Sequence, residues 1–287
     1  DVPRMFRIEP VESPCGQLNS HEMTTPATVY TLADEVATIE MDRPDSLNAL
    51  SLQLVTELRN AVKKAVDDGA RAAILKGRGR AFCSGGDLRE MRSMWEREGR
   101  IEAFLEEPLR ALHDLIASIR EAPIPFIAAV NGVCAGAGTN LALACDIVIA
   151  ADNAAFSEGF VKIGLSPDCG GTYFLPRIVG EKLAAELLMT GDEIDAARAE
   201  RIGLVNYVVP SDELDTRAAK LAQKLASRPA GSLARIKRML NDSGGNSLRE
   251  QLDLEHECQL ESGRSADFKE GVAAFMEKRK PVFLSRD

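Results

Sequence analysis

The chain has 287 residues, of which 45% are hydrophobic and 28% are charged, and its net charge is −9. This length suffices for one large α/β domain with an appended helical part. The acidic balance argues against broad binding of nucleic acid, and no apolar run approaches the ~18 residues that a membrane span needs. We therefore expect neither nucleic acid nor a membrane as a partner.

The cysteines and histidines indicate the compartment and exclude two kinds of site. The six cysteines form no CxxC pair and lie at positions 15, 83, 134, 145, 169 and 258. This spacing is typical of a reduced, intracellular protein. The three histidines, at 21, 113 and 256, are too scattered for a zinc site or a histidine-based triad. We expect a cytoplasmic protein without a metal site.

The first elements are predicted from short runs of alternating pattern. Residues 1–27 contain four prolines and little periodicity, which predicts an arm that is poorly ordered or foreign to the native chain. The β-branched runs at 29–32 and 36–40 predict a hairpin. A helix is expected to begin after Ser51, whose hydroxyl is suited to an N-cap, with Leu54, Leu58, Val62 and Ala65 on one face.

The middle of the chain repeats strand, glycine turn and helix. Strands are predicted at 72–75, 125–130 and 147–150, and a helix is predicted near 104–120. Such repetition is typical of a parallel sheet, in which ligands bind at the carboxyl ends of the strands. After Arg177 the pattern is almost wholly helical, with candidates at 181–189, 196–201, 214–226, 233–241, 247–261 and 265–277. We divide the chain into the arm at 1–27, a core at 28–210 and a C-terminal helical region at 211–287.

Two glycine-rich turns are the first candidate for a functional site. Gly136, Ala137 and Gly138 end a strand and begin a helix, so free N–H groups and the helix dipole point at whatever lies above the strand. The turn that contains Ser84 and Gly86 has the same setting. Converging amides from two such turns form an oxyanion hole. Small residues in these turns could instead serve only to pack a helix tightly on the sheet.

Several ordered motifs resemble the crotonase superfamily, which includes enoyl-CoA hydratases and isomerases. The motifs are DRP…NAL from Asp42, RAFCSGGDL from Arg80, AVNG…GAG…LA…CD from Ala129 and GLSPD…GG from Gly164. The resemblance covers residues 36–209. It implies an α/β spiral of ββα units, a C-terminal helical trimerisation region, and homotrimers or dimers of trimers that bind an acyl-CoA thioester. It implies no cofactor beyond the coenzyme A of the substrate.

The same resemblance assigns the reacting groups. The backbone N–H groups of Gly86 and Ala137 would hold the thioester oxygen. The family's hydratases commonly use two glutamates, and the matching positions here are Asn140 and Phe160, neither of which is a carboxylate. Asp168 stands where some double-bond isomerases of the family, including bacterial ones of phenylacetate degradation, carry their acid or base. The ordinary alternative is that Asp168 only caps a turn or helix.

The substrate pocket is predicted from residues near these groups. Leu88 and Met91 either line an acyl pocket or pack the helix that contains them. Phe160 at an acid's position would make the pocket drier and so raise the pKa of Asp168. Ser84 and Asn140 are also assigned to substrate binding.

Three charged residues have competing interpretations. Asp87 is assigned to substrate binding, although it and Asp146 are expected mainly to accept backbone hydrogen bonds. Lys278 either meets a coenzyme A phosphate of an adjacent subunit or belongs to a solvated tail. Glu158 is expected to face solvent or a neighbouring subunit.

These observations favour an acyl-CoA double-bond isomerase in which Asp168 moves a proton between C2 and C4 of an enoyl chain. One alternative is an enoyl-CoA hydratase in which Asn140 positions water and Asp168 alone activates it. Another is a non-catalytic member that binds acyl-CoA or RNA, which the absence of both hydratase-type glutamates favours.

Overall fold

The computed structural model describes residues 25–100 and 102–283. Most of the predicted arm at 1–27 therefore lies outside the described residues. The last residue of that stretch, Ala27, is buried; its N–H donates to Glu57 Oε2 over 2.8 Å and its oxygen accepts from Asp42 N–H over 2.7 Å. These contacts join residue 27 to the core.

The fold combines short strands with helices along the whole described chain. The strands are β1 (Thr28–Ala33), β2 (Val36–Met41), β3 (Ala72–Gly77), β4 (Ala81–Cys83), β5 (Phe126–Val130), β6 (Val133–Ala135), β7 (Ile147–Ala151), β8 (Ala155–Ser157), β9 (Glu193–Asp195) and β10 (Tyr207–Val209). The helices are α1 (Leu52–Asp67), α2 (Leu88–Glu98), α3 (Glu102–Glu121), α4 (Ala137–Ala144), α5 (Gly171–Val179), α6 (Glu181–Thr190), α7 (Ala196–Arg201), α8 (Leu214–Ala226), α9 (Ala230–Ser243), α10 (Leu248–Arg264) and α11 (Ala266–Met276).

Within the described residues, one sheet has the strand order β1-β2-β3-β5-β7-β10. Its strands run parallel from β2 onward, and only the edge strand β1 is antiparallel to its neighbour. All residues of the central strand β5 are buried, as expected of a parallel strand covered on both faces. The predicted parallel sheet is confirmed.

The hairpin and the first helix also form as predicted. Asp34 and Glu35 connect β1 to β2 with φ of 48° and 61°, which are the left-handed values that a two-residue turn between strands requires. The Ser51 hydroxyl accepts from Leu54 N–H over 3.2 Å and caps α1. The face of α1 that contains Leu58 is buried in the main core.

A second sheet was not predicted from the sequence. It has the order β4-β6-β8-β9, and each of its strands is only three residues long. Such strands are too short to display an alternating pattern. Since β4 and β6 end just before the two glycine turns, this sheet places the turns side by side.

The C-terminal helices divide into a packed one and a more exposed group. Helix α8 covers one face of the large sheet, where Leu214, Ala218 and Ala222 meet Ile127 and Ile149. Helices α9, α10 and α11 follow and expose large apolar side chains, including Leu240, Leu248, Phe268 and Phe275. The sequence pattern overlooked α5, β9 and β10; the last of these joins the large sheet beside β7. In the described part of the chain, no helix is long and apolar enough to cross a membrane.

Candidate active site

A cavity of about 210 Å³ lies between the two glycine turns, α2, α3 and the loop before α5. Seven of the residues assigned to the site from the sequence border it, namely Ser84, Gly86, Leu88, Met91, Ala137, Phe160 and Asp168. Its remaining wall is largely apolar and includes Leu50, Val55, Leu109, Leu112 and Leu165. The fold thus brings together the predicted oxyanion turns and the predicted carboxylate.

Two larger clefts lie elsewhere on the described surface. One, of about 1110 Å³, lies among α3, α5 and α9, and the other, of about 1030 Å³, lies among α9, α10 and α11. Neither is bordered by Asp168, Gly86 or Ala137. We assign the chemistry to the smaller cavity because Asp168 and the turns of Gly86 and Ala137 all border it.

The first turn leaves one amide outside the local pairing. Leu50 N–H donates to Gly85 O over 2.8 Å, and Asp87 N–H donates to Leu50 O over 3.2 Å. Gly86 lies between Gly85 and Asp87, and its own N–H takes part in neither of these two hydrogen bonds with Leu50. A Cβ at Gly86 would lie 2.6 Å from Met91 Cε, so the bare glycine lets the Met91 side chain approach the turn.

The second turn has a conformation that only glycine adopts readily. Gly136 has φ of 52° and ψ of −124°, and α4 begins at the next residue. The amide of Ala137 is the first of the helix, so no carbonyl lies four residues earlier within α4 to accept from it. A Cβ at Gly138 would lie 2.3 Å from Cys83 O, and one at Gly85 would lie 3.6 Å from Ala137 N. The two turns are therefore in close contact.

Asp168 borders the cavity from the loop before α5. Burial raises the pKa of its carboxyl, an effect that a hydrogen bond with the Cys169 thiol and the charge of His113 partly offset. This direction agrees with the expectation for a dry pocket. Residue Gly170, not Asp168, is the N-cap of α5, and no side chain caps that helix end. The local geometry thus does not favour the interpretation of Asp168 as a helix cap.

The two residues at the positions of the hydratase glutamates differ in their relation to the cavity: Phe160 borders it and Asn140 does not. Phe160 is buried and borders the cavity, with its ring tip 3.6 Å from where a Cβ on Gly136 would lie. Asn140 is 0% exposed and is not among the described residues that border the cavity. Its Nδ2 donates to the main-chain oxygen of Asp168 over 2.9 Å. Asn140 therefore supports the Asp168 loop from behind.

Two other residues assigned to substrate binding also lie away from the cavity wall. The carboxylate of Asp87 accepts from Arg89 N–H and Glu90 N–H at the start of α2, and it pairs with Arg43 over 3.0 Å. Lys278 follows α11 and is exposed, and among the described residues it does not border this cavity. Asp87 is the N-cap of α2.

Asp146 is the other aspartate that was expected to accept backbone hydrogen bonds, and it directly precedes β7 of the large sheet. Its Oδ2 accepts from Phe126 N–H over 2.8 Å and pairs with Lys237 over 2.9 Å. Asp146 therefore joins β5 to α9 and does not border the cavity.

The expectation for Glu158 was wrong. This residue is 2% exposed, and its Oε2 lies 3.4 Å from Asn140 Nδ2. Burial raises the pKa of its carboxyl to about 8, and the nearby charge of Asp168 contributes in the same direction. Glu158 directly follows β8, a strand too short to display an alternating pattern, so its burial could not be predicted from the sequence.

No group of ligating side chains in the described ranges is arranged to hold a metal ion. The cysteines at 83, 134, 145, 169 and 258 are free and buried, whereas Cys15 lies outside the described residues.

The geometry suits one class of reaction. Two backbone amides at the same cavity can stabilise negative charge that develops on a carbonyl oxygen. A carboxylate beside them, with its pKa raised, can remove a proton from the carbon next to that carbonyl. The combination is that of proton abstraction through an enolate.

Several known proteins resemble this chain over most of its length. The family described as enoyl-CoA hydratase/isomerase matches residues 31–286. A "probable enoyl-CoA hydratase" of Rhodobacter capsulatus is 43% identical over 259 residues, which cover 90% of this chain and 97% of that protein. The 1,2-epoxyphenylacetyl-CoA isomerase of Escherichia coli is 40% identical over 252 residues, which cover 88% of this chain and 95% of that protein.

Solved structures show the same architecture. An enoyl-CoA hydratase from Polaromonas sp. JS666 superposes with a TM-score of 0.85 at 35% identity, covering 90% of this chain and 99% of that one. An enoyl-CoA hydratase from Bacillus anthracis superposes with a TM-score of 0.84 at 33% identity, covering 90% and 98%. The fold expected from the sequence motifs is thereby confirmed.

Proposed function

Because this chain belongs to the enoyl-CoA hydratase/isomerase family, we propose that it is an acyl-CoA double-bond isomerase that works through a thioester enolate. The observation that supports this most is the position of Asp168 in one cavity with the turns of Gly86 and Ala137. Neither position of the hydratase glutamate pair carries an acid, since they hold Asn140 and Phe160.

The proposed reaction moves one proton and shifts one double bond. The Asp168 carboxylate removes a proton from C2 of a 3-enoyl-CoA, and the electron pair moves into the C2–C1 bond while the carbonyl oxygen becomes negative. The amides of Gly86 and Ala137 stabilise that oxygen, and each such donor typically contributes ~3–4 kcal/mol. When the carbonyl re-forms, the alkene lies between C2 and C3 and C4 takes the proton from Asp168. The reaction is redox-neutral and needs no group beyond the coenzyme A of the substrate.

The raised pKa of Asp168 suits both halves of this cycle. A base whose conjugate acid is only weakly acidic binds the C2 proton more strongly and still returns it to C4. The apolar wall that includes Phe160 keeps the carboxyl poorly hydrated. This environment favours proton transfer to carbon over addition of water.

The hydratase alternative is less well supported. The names of the relatives leave both reactions open, since the Rhodobacter capsulatus protein is named as a hydratase and the Escherichia coli protein as an isomerase. Hydration needs a group that holds water over the alkene, and Asn140 is the residue at the matching position. Its amide is fully buried and already donates to Asp168 O. It is therefore not oriented to hold a water molecule in the cavity.

We propose that the protein assembles as a homotrimer or dimer of trimers through the C-terminal helices. The exposed apolar side chains of α9, α10 and α11, such as Leu240 and Phe275, support an interface there. In such an assembly Lys278 would be available to a coenzyme A phosphate bound by an adjacent subunit.

Product analysis tests the reaction. We expect the protein to convert 3-hexenoyl-CoA to 2-hexenoyl-CoA, seen by proton NMR as movement of the alkene signals. It should form little 3-hydroxyhexanoyl-CoA from 2-hexenoyl-CoA. Rapid hydration of the 2-enoyl thioester without isomerisation of the 3-enoyl thioester would instead establish the hydratase.

The Asp168→Asn variant separates catalysis from binding. We expect it to lose isomerase activity while it keeps its affinity for acyl-CoA, because the amide cannot accept the C2 proton as a base. Asp114→Asn is the matched control, since Asp114 is exposed on α3 and pairs only with Arg59 among the contacts described. Equal activity of both variants would exclude Asp168 as the base. A wild-type protein that binds acyl-CoA without turnover would establish the non-catalytic alternative.

A further inference from the structure

The buried acid Glu158 has no part in the proposed reaction and lies behind the residues that do. It follows β8 and is 2% exposed, yet it is not among the described residues that border the cavity. An isolated ionised carboxylate at such a place is costly, so a buried acid normally has a charged partner or becomes neutral.

One side-chain amide connects Glu158 to the candidate base. Asn140 Nδ2 lies 3.4 Å from Glu158 Oε2 and donates to Asp168 O over 2.9 Å. A Cβ on Gly171 would lie 2.6 Å from the same Nδ2, so the amide is held between Glu158 on one side and the start of α5 on the other. The position of the Asp168 loop therefore depends on how the Asn140 amide is oriented.

The unpaired atoms of this group indicate its protonation state. Asn140 Oδ1 and Glu158 Oε1 are both buried oxygens without a hydrogen-bond partner among the described residues. If Glu158 were ionised, both atoms would be acceptors and neither could satisfy the other. A protonated Glu158 has an O–H that can donate to Asn140 Oδ1, while Asn140 Nδ2 donates to Glu158 Oε2. Protonation thus supplies a donor for Asn140 Oδ1, whereas Asp168 Oδ1, a third buried oxygen without a hydrogen-bond partner among the described residues, belongs to the candidate base itself.

The groups that face Glu158 strengthen this conclusion. Asp168 and Asp192 are acids, the latter beside Glu158 at the turn before β9. Cys134 and Cys169 are thiols whose pKa values are raised, chiefly by burial and further by Glu158. Burial and the charge of Asp168 disfavour a negative charge on Glu158 and outweigh the hydrogen bond from Asn140, which favours it, so that the pKa is raised to about 8.

We propose that Glu158 is a neutral acid that pairs with the Asn140 amide and thereby positions Asp168 for proton transfer. The role given to Asp168 rests on the proposed function, whereas the neutral acid–amide pair does not. When Glu158 ionises, the O–H donor disappears and a second negative charge arises behind Asp168 and the enolate. Catalysis should therefore weaken as the pH rises through about 8.

The protonation state can be measured without turnover. Infrared difference spectra of wild type minus Glu158→Gln should show the C=O stretch of a protonated carboxyl at pH 7, and the band should disappear as the pH rises through about 8. Absence of that band at pH 7 would overturn the proposal. Since this measurement uses the free protein, it remains decisive even if the chain proves not to be an isomerase.

The positioning role is tested by the pH profile of kcat. Glu158→Gln keeps a donor and an acceptor for Asn140, so we expect near wild-type kcat at pH 7 and no decline near pH 8. Glu158→Ala should lower kcat by ~10-fold or more with little change in KM, because the base is displaced while the pocket remains. An alkaline decline that persists in Glu158→Gln, or a loss in that variant as complete as in Asp168→Asn, would contradict positioning by a neutral acid.

Discussion

The side-chain amide of Asn140 donates a hydrogen bond of 2.9 Å to the main-chain oxygen of Asp168. Asn140 lies about one turn along α4 from Ala137, which borders the same cavity as Asp168. In the proposed reaction, a single short helix therefore supplies one oxyanion donor and holds the loop that carries the base. Displacement of α4 would disturb both groups together.

The amide of Ala137 can be removed without removing the helix start. Proline is tolerated at the first position of a helix, so Ala137→Pro should fold while it lacks the N–H. We expect kcat to fall by ~10²–10³ because one oxyanion donor is lost. Ala137→Gly keeps the N–H and should retain kcat within a few-fold. Similar kcat values for the two variants, with unchanged circular dichroism, would exclude the amide as a donor.

The pKa of Asp168 should be adjustable through Cys169. Burial raises this pKa, and the hydrogen bond with the Cys169 thiol lowers it. Since the base must be ionised, activity is lost as the pH falls through the pKa, and the acid limb of kcat/KM should lie above the usual aspartate range. Cys169→Ala removes the hydrogen bond that lowers the pKa of Asp168, so the acid limb of kcat/KM should move to higher pH in this variant. The plateau value of kcat/KM above that limb should stay the same.

The matched control for this shift is Cys169→Ser, which keeps a donor at the same atom position. Its acid limb should lie nearer to that of the wild type than the limb of Cys169→Ala does. A limb that moves to lower pH in Cys169→Ala would show that the thiol does not stabilise the Asp168 carboxylate.

Gly171 keeps space for the Asn140 amide. A Cβ there would lie 2.6 Å from Asn140 Nδ2, so Gly171→Ala should displace the amide from Asp168 O. We expect a fall in kcat of ~10-fold or more with little change in KM. Unfolding in urea should show a loss of ~1–3 kcal/mol from overpacking.

The control for Gly171 is another helical glycine, Gly263 in α10. Nothing lies within 4 Å of a Cβ built there. Gly263→Ala should raise stability by ~0.5–1 kcal/mol and leave kcat unchanged. If the two substitutions had equal effects, space at Gly171 would not be the reason for the glycine.

The sequence was most informative where a pattern extends over several residues. The helices α7 and α8 lie within the predicted bounds of 196–201 and 214–226, and β3, β5 and β7 lie at or next to theirs. Helix α8 shows why, since Leu214, Ala218 and Ala222 recur at helical spacing and form its buried face. The three-residue strands of the second sheet contain no such repeat, because they form only through pairing with distant segments.

The candidate site was predictable in part for a similar reason. Gly86, Ala137 and Asp168 belong to ordered motifs, and the structure places all three at one cavity. The inward orientation of Asn140 and the burial of Glu158 depend on how α4 packs against β8 and α5. Contacts between segments so far apart in the chain leave no local pattern from which they could be predicted.

The stability of the protein should depend on pH through Glu158. Its pKa is raised from 4.5 to about 8 on folding, so between these values the folded state binds a proton that the unfolded state has released. The contribution of Glu158 to the free energy of unfolding should therefore be largest below pH 4.5. It should decrease as the pH rises and be lost once the pH has passed about 8.

Glu158→Gln removes this proton linkage while it keeps the shape of the side chain. Relative to wild type it should gain stability as the pH rises from 4.5 to about 8, by an amount on the order of a few kcal/mol, and the difference should stay constant at higher pH. Urea unfolding at fixed protein concentration measures the difference at each pH. Glu255→Gln, at an exposed position on α10, corrects for the general effect of removing one carboxylate. If the stability difference between wild type and Glu158→Gln were independent of pH, Glu158 would have the same protonation state when folded and unfolded, and the neutral acid pair would not exist.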